Sequence, residues 1–306
     1  MKTANFLGLT LANPRMGIPL TLRGSVIPTI LPRVLICTLF SLVITLLDRR
    51  GWNLSISLRD SIVPSIVLGL LLVFRTNTAY ERFWEGRKAW GTLINTVRNL
   101  SRSIWISVEE PDPADCQQKI IILRLLVAFA IATKLHLRSE TINPELADLI
   151  PPENYQKLQT INNRPLEIAF WIGNYLQSQY EKNCIHPYQL AAMLKLLDNM
   201  VEVLGICERI LKTPIPLAYS IHLRQLIFLY CFAAPFQLLD SLGWVTPLVV
   251  GVIAFTIFGI EEIGEEIENP FGHDANDLPL DQICRTMRIN IEDLISLSPC
   301  VQHWQK

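Results

Sequence analysis

The stretch from Ile62 to Trp90 constrains this chain more than any other. Ile62–Phe74 is apolar with almost no polar group, and it passes without a break into Arg75-Thr-Asn-Thr-Ala-Tyr-Glu-Arg-Phe-Trp-Glu-Gly-Arg-Lys-Ala-Trp90. The first part suits lipid or a dry pore; the second suits a wet protein interior. One helix that joins two such environments is expected to cross a membrane boundary, which excludes an ordinary soluble fold.

Composition agrees. Half of the 306 residues are hydrophobic and 18% are charged, below the roughly 25% typical of soluble domains, and the mean hydropathy is +0.30. A net charge of −1 offers no basis for binding nucleic acid. The seven cysteines (37, 116, 184, 207, 231, 284 and 300) include no C-x-x-C pair and read as reduced, mostly buried small hydrophobes. Nothing in the first 25 residues has the apolar run of a cleaved secretory signal.

Four segments are candidates for spanning the bilayer: Val34–Leu47, Ile62–Phe74, Leu226–Leu239 and Trp244–Ile260. Each apolar core falls short of the roughly 20 residues a lone spanning helix needs, so either flanking residues extend the helices or neighbouring subunits cover their ends. A fifth apolar run, Ile120–Thr133, carries Arg124 at its middle. A charge there would be costly at mid-bilayer, and the run is assigned to a cytosolic helical layer. Arg75, Arg82, Arg87, Lys88, Arg98 and Arg102 follow the second span closely, which places the middle region, about 75–225, on the cytoplasmic side. That region reads as helices throughout, punctuated by prolines at 111, 113, 144, 151, 152, 187, 214 and 216.

Motifs for catalysis are missing: there is no H-E-x-x-H, P-loop, G-x-G-x-x-G or G-x-S-x-G. No enzyme activity and no cofactor are expected. Glu261, Glu262, Glu265, Glu266 and Glu268 cluster at the end of the last span, either as a solvated helix end paired with Arg82, Arg87 or Lys88, or as a cation site. Tyr80, Trp84 and Trp90 read as packing between helices. Glu85 and Lys88 stand at a spacing that suits an ion pair within one helix. Ile62, Ile66 and Leu70 recur at i, i+4 and i+8 and so share a helix face. Ordinary core packing explains such a stripe. So does a narrow apolar throat built from several copies around a symmetry axis, closing to ions by expelling water.

The chain resembles the bestrophins and their bacterial relatives. The resemblance rests on Pro64-x-x-x-Leu68-Gly69, on the Phe74–Trp90 block, on Ile215-Pro216-Leu217-Ala-Tyr219, and on Ile267-Glu-Asn269-Pro270-Phe271-Gly272-His-Asp274-Ala-Asn-Asp277-Leu-Pro279-Leu-Asp281. It implies an all-α membrane protein with four transmembrane helices and a large cytosolic helical layer, a single channel domain over 1–295 with a tail at 296–306, assembled as a homopentamer. It further implies a passive channel for monovalent anions, chloride and bicarbonate among them, with Ile62, Ile66 and Leu70 at the pore neck and Arg75 at the neck's inner entrance. Five copies of Arg75 would make that entrance positive. Two of the three neck positions are commonly aromatic in animal members, so the throat here is aliphatic. Tyr188 falls near the family's cytosolic constriction, with a core-packed tyrosine as the alternative. Animal members bind calcium with an acidic run after N-P-F-G; here part of that carboxylate set is missing, leaving Asn269, Asp274 and Asp277 as a degenerate remnant. A turn whose Asp and Asn side chains bond their own backbone is the default, ahead of a calcium site. A cation channel of the same architecture and a non-conducting scaffold or enzyme are the competing readings. The membrane is expected to be a bacterial inner (plasma) membrane or a thylakoid-type one, and the partners to be inorganic ions, the lipid bilayer and further copies of the chain.

Overall fold

Prolines that punctuate the sequence turn out to start helices, where their missing N–H costs nothing. The computed structural model describes residues 24–56 and 62–297, and within them Pro113, Pro144, Pro152 and Pro187 each open a helix. The elements are α1 (Ile27–Leu47), α2 (Ile62–Ser107), α3 (Pro113–Leu137), α4 (Pro144–Ala147), α5 (Pro152–Gln159), α6 (Arg164–Glu181), α7 (Pro187–Lys212), α8 (Leu217–Leu242), α9 (Thr246–Glu266) and α10 (Leu280–Ser296). Among the described residues there is no strand. The expected tail, beyond residue 297, lies outside the described residues.

α2 is one unbroken helix of 46 residues, about 69 Å long at 1.5 Å per residue. The expected spans are longer than their apolar cores: α1 has 21 residues, α8 has 26 and α9 has 21. Polar or weakly apolar flanks extend each helix to the length a bilayer requires.

Packing divides the described residues into two compact units, 24–84 with 213–277 and 85–212 with 278–297. In the first, α1 packs along α9 and α8 against both, around a core that includes Ile30, Val34, Leu72, Ile227, Val250 and Phe258. The α1–α9 approach depends on Gly251, since a Cβ there would stand 2.8 Å from Thr38 Oγ1, whose hydroxyl donates to the Val34 carbonyl. Small residues at such crossings are what lets helices in lipid pack closely. The outer faces stay apolar, with Leu35, Ile36, Leu39, Leu229, Leu248 and Val252 all exposed in the single chain. Apolar surface on that scale marks contact with lipid or with other subunits.

In the second unit α3 packs against α6, α7 and α10. It is as apolar as the candidate spans in α1 and in α8 with α9, but most of its apolar stretch is buried by the chain's own helices whereas most of theirs is exposed. A helix that is apolar all round and enclosed by its own chain is a core helix. Arg124 escapes on one side to a bidentate pair with Glu292. Buried Lys134 binds Glu145 and Asp281, both at 2.8 Å, and Arg138 binds Asp281 at 3.0 Å, tying α3 to α4 and α10. Burial also pushes the thiols of Cys207 and Cys284 up to about 12, so they are protonated, unreactive core groups at neutral pH.

Partial burial would raise the Asp281 carboxyl, but the bonds from Lys134 and Arg138 outweigh it and hold it down at about 2. A carboxylate depressed in the folded state stabilises above its ordinary pKa and loses that contribution as pH falls through the folded value. Asp281→Asn is therefore expected to melt below the unmodified protein at pH 7, and the gap to close as pH falls from about 4 to about 2. The carboxylate side chain is 64% exposed, so solvent screening keeps the gap small. Thermal unfolding in detergent across that range is the check; a gap that stays constant would contradict the linkage.

Candidate pore helix and its charged support

The orientation of α2 follows from what its opposite sides touch. Leu68 and Leu72 are buried at 4% and 5% exposure, whereas Ile66 and Leu70 are 55% and 52% exposed. Two polar contacts hold that rotation: Ser65 Oγ bonds to Tyr230 Oη at 3.2 Å, and Tyr219 Oη donates to the Leu71 carbonyl at 2.8 Å. Two of the three candidate neck residues are thus presented outward together, and the side chain of Ile62 lies outside the described residues.

Arg75 is placed differently from the expectation that it turns a positive charge towards an entrance. Its side chain is 3% exposed. Nη1 donates to Ser220 Oγ at 2.7 Å, and Nη2 donates to Glu268 Oε2 at 3.1 Å. A guanidinium enclosed and paired in this way is a structural clamp with little field left outside. Glu268 is the centre of that clamp, because its other oxygen accepts from the Ile215 backbone N–H at 2.8 Å and its carbonyl accepts from Arg82 Nε at 3.1 Å. Arg82 also donates to the Thr213 carbonyl. Residues 75, 82, 215, 219 and 268, drawn from three sequence motifs far apart in the chain, meet here.

The acidic cluster is satisfied by cations other than those expected. Arg33 on α1 reaches Glu262 at 2.9 Å and Glu261 at 3.5 Å; Arg224 on α8 reaches Glu261 at 3.1 Å and Glu265 at 2.6 Å. Arg82, Arg87 and Lys88 take no part in these pairs. Glu261, Glu262 and Glu265 lie close enough to share an ion, but two guanidiniums already occupy their oxygens. Arg33 and Arg224 escaped sequence reasoning, although each is a lone cation in an apolar helix, and such a charge requires a partner. Likewise Glu85 pairs with Arg209 at 2.5 Å on α7 and not with Lys88.

Among the aromatics, Trp90 is fully buried, but Tyr80 and Trp84 are 57% and 50% exposed. The expectation that all three pack between helices holds within the chain only for Trp90. Tyr188, 83% exposed, is not a core residue either. It stands at the start of α7, its ring stacked on His186 at 5.2 Å and its backbone N–H donating to His186 Nδ1 at 3.4 Å.

The loop after α9 bonds to itself. Asn269 Oδ1 accepts from the Phe271 N–H at 3.3 Å, and Asp277 Oδ2 accepts from the Asp274 N–H at 2.8 Å. Gly272 leaves room for this carboxylate, because a Cβ there would meet Asp277 Oδ2 at 2.7 Å and push it aside. Asn276 directs its amide at the Gly24 carbonyl (3.2 Å) and the Glu266 carboxylate (2.6 Å). Calcium needs six to eight oxygens, several of them from carboxylates. Here one Asp277 oxygen is turned onto a backbone amide and position 276 presents an N–H donor.

Sequence and structure comparisons place this architecture. The family description Bacterial/Fungal Bestrophin protein matches residues 13–293. The chain belongs to the bestrophin family. It is 68% identical over 289 residues to a voltage-dependent anion channel-forming protein of Synechocystis, covering 94% of each chain. A similarly named protein of Nostoc is 63% identical, over 92% of each. The crystal structure of a bacterial bestrophin homologue from Klebsiella pneumoniae superposes with a TM-score of 0.81 at 30% identity, covering 88% of this chain and 100% of that one. This bestrophin is accordingly an all-α membrane protein, and its motif residues are those of the Arg75–Glu268 clamp.

Removing one partner of a buried ion pair strands the other charge at a cost of roughly 3–5 kcal/mol. Glu268→Gln should therefore strongly lower the thermal stability of the purified protein, whereas Lys195→Gln, which breaks a pair exposed on both sides, should change it by about 1 kcal/mol or less. Equal effects from the two variants would refute the clamp.

Proposed function

We propose that this bestrophin is a passive channel for monovalent anions, with chloride and bicarbonate as the candidate ions, built as a homopentamer whose α2 helices surround one axial pore. The observation that carries the reading is the two-sidedness of α2: Leu68 and Leu72 are enclosed by its own chain while Ile66 and Leu70 are left bare. An outward aliphatic row beside an inward one is what a helix lining a symmetric throat requires. Such a throat passes ions when wet and blocks them by dewetting. The names of the cyanobacterial relatives support anions as the cargo.

In this reading α1, the first part of α2, α8 and α9 span the bilayer, the helical unit built on α3, α6, α7 and α10 is cytosolic, and Ile62, Ile66 and Leu70 form the neck. Arg75 closes the inner end of the neck as a clamp, and Tyr188 projects into the cytosolic passage as a second constriction. The membrane is a bacterial inner membrane or a thylakoid-type one. The chain acts as a conduit and not as an enzyme. Cation conduction is the weaker alternative, because Glu261, Glu262, Glu265 and Glu268 have arginine partners and so do not present a bare acidic ring.

Anion efflux from proteoliposomes should rise when Leu70 or Ile66 is replaced by Ala, since a wider throat dewets less readily. Unchanged flux in both variants would overturn the neck assignment. In a sodium chloride gradient the reversal potential should approach that of chloride; a shift to the sodium value would replace anion with cation conduction.

A further inference from the structure

An α-helix returns to the same azimuth about every 18 residues, roughly five turns. On the uninterrupted α2 helix this carries the candidate neck positions 62, 66 and 70 onto Tyr80, Trp84 and Lys88, and then onto Arg98, Arg102 and Ile106. Lys88, Arg98 and Arg102 are all exposed. None of the three has a hydrogen bond or ion pair among the described residues, whereas most other described arginines are tied down. Glu85, the acid nearest to Lys88 in sequence, is held by Arg209. Asn95, also exposed on this side of the helix, adds an amide donor.

From this we infer that Lys88, Arg98 and Arg102 form the anion-selective surface of the conduction pathway, supplying the positive field that buried Arg75 does not. The inference rests on the pore-helix reading above and extends it to residues with no part in the neck. Its logic is electrostatic. A free cation on an exposed face raises the local concentration of small anions and lowers that of cations, and repetition by symmetry multiplies the effect. Their neutralised counterparts Arg33, Arg75 and Arg224 hold helices together and contribute little field. The ligand class is a small hydrated monovalent anion, attracted by charge and not captured in a fitted pocket.

The test uses the full-length protein in planar bilayers. A variant combining Lys88→Gln, Arg98→Gln and Arg102→Gln should lose roughly threefold or more of its chloride conductance at low salt and show a reduced chloride-to-sodium permeability ratio. At about 1 M salt, where the Debye length shrinks to about 3 Å, its conductance should converge on that of the unmodified channel. Arg98→Lys with Arg102→Lys, which keeps the charges, should retain the low-salt conductance. If the triple variant fails to assemble, Arg102→Gln alone should show the same salt-dependent loss in smaller degree. Unaltered low-salt conductance and selectivity in the neutralised variants would overturn the inference, and so would a loss that persists at high salt. Leu70→Ala serves as the separate control: raised flux there alongside unaltered low-salt behaviour in the neutralised variants sinks the cationic stripe and leaves the neck intact, whereas unchanged flux from Leu70→Ala sinks the neck itself.

Discussion

The proposed conduction path depends on α2 being held in one rotation about its axis. An isolated apolar helix has no reason to prefer one face. Here the preference comes from a few contacts on one side: Leu68 and Leu72 in the core, Tyr219 on the Leu71 carbonyl, and Arg75 enclosed between Ser220 and Glu268. A buried ion pair is a poor source of net stability, because desolvation consumes most of its Coulomb attraction. Its value is geometric. Rotating α2 by one residue would pull the Arg75 guanidinium from its carboxylate and expose an apolar row that the core now covers, so rotation is opposed twice.

This arrangement explains why charge in the first unit is abundant yet quiet. Arg33, Arg75 and Arg224 are matched to Glu261, Glu262, Glu265 and Glu268, and the matching binds α1 and α8 to the polar end of α9 and α2 to the residues just after it. In the second unit Lys134 and Arg138 do similar work with Glu145 and Asp281. Exposed, unpaired cations on α2 stand out against that background, and they are the ones available to act on ions at a distance.

Much of the fold was legible in the sequence because it rests on local rules. Apolar runs mark α1, α8 and α9, and prolines mark the breaks between helices, although the helices reach further than their apolar cores, as with α8 beginning at Leu217 and not Leu226. Helical spacing puts Ile66 and Leu70 on one face, but it does not say whether that face turns inward or outward. The charge partners were not legible. Arg33 and Glu262 are 229 residues apart, and no local pattern says which of many cations a carboxylate will meet. For the same reason the spacing that suits Glu85 to Lys88 does not reveal Arg209 as its partner, and nothing near Arg75 in the sequence points to Glu268. Tyr80 and Trp84 belong to a residue class that favours packing between helices, yet within one chain their surroundings are open.

Thiol accessibility of α2 tests the central claim most directly. Ile66→Cys, Leu68→Cys and Leu70→Cys channels, treated with a charged, water-soluble thiol reagent while current is recorded, should separate into two classes. Modification should alter current through the Ile66 and Leu70 variants and leave the Leu68 variant unaffected. Rapid modification at 68, or inertness at both 66 and 70, would show that α2 turns another face to the conducting path.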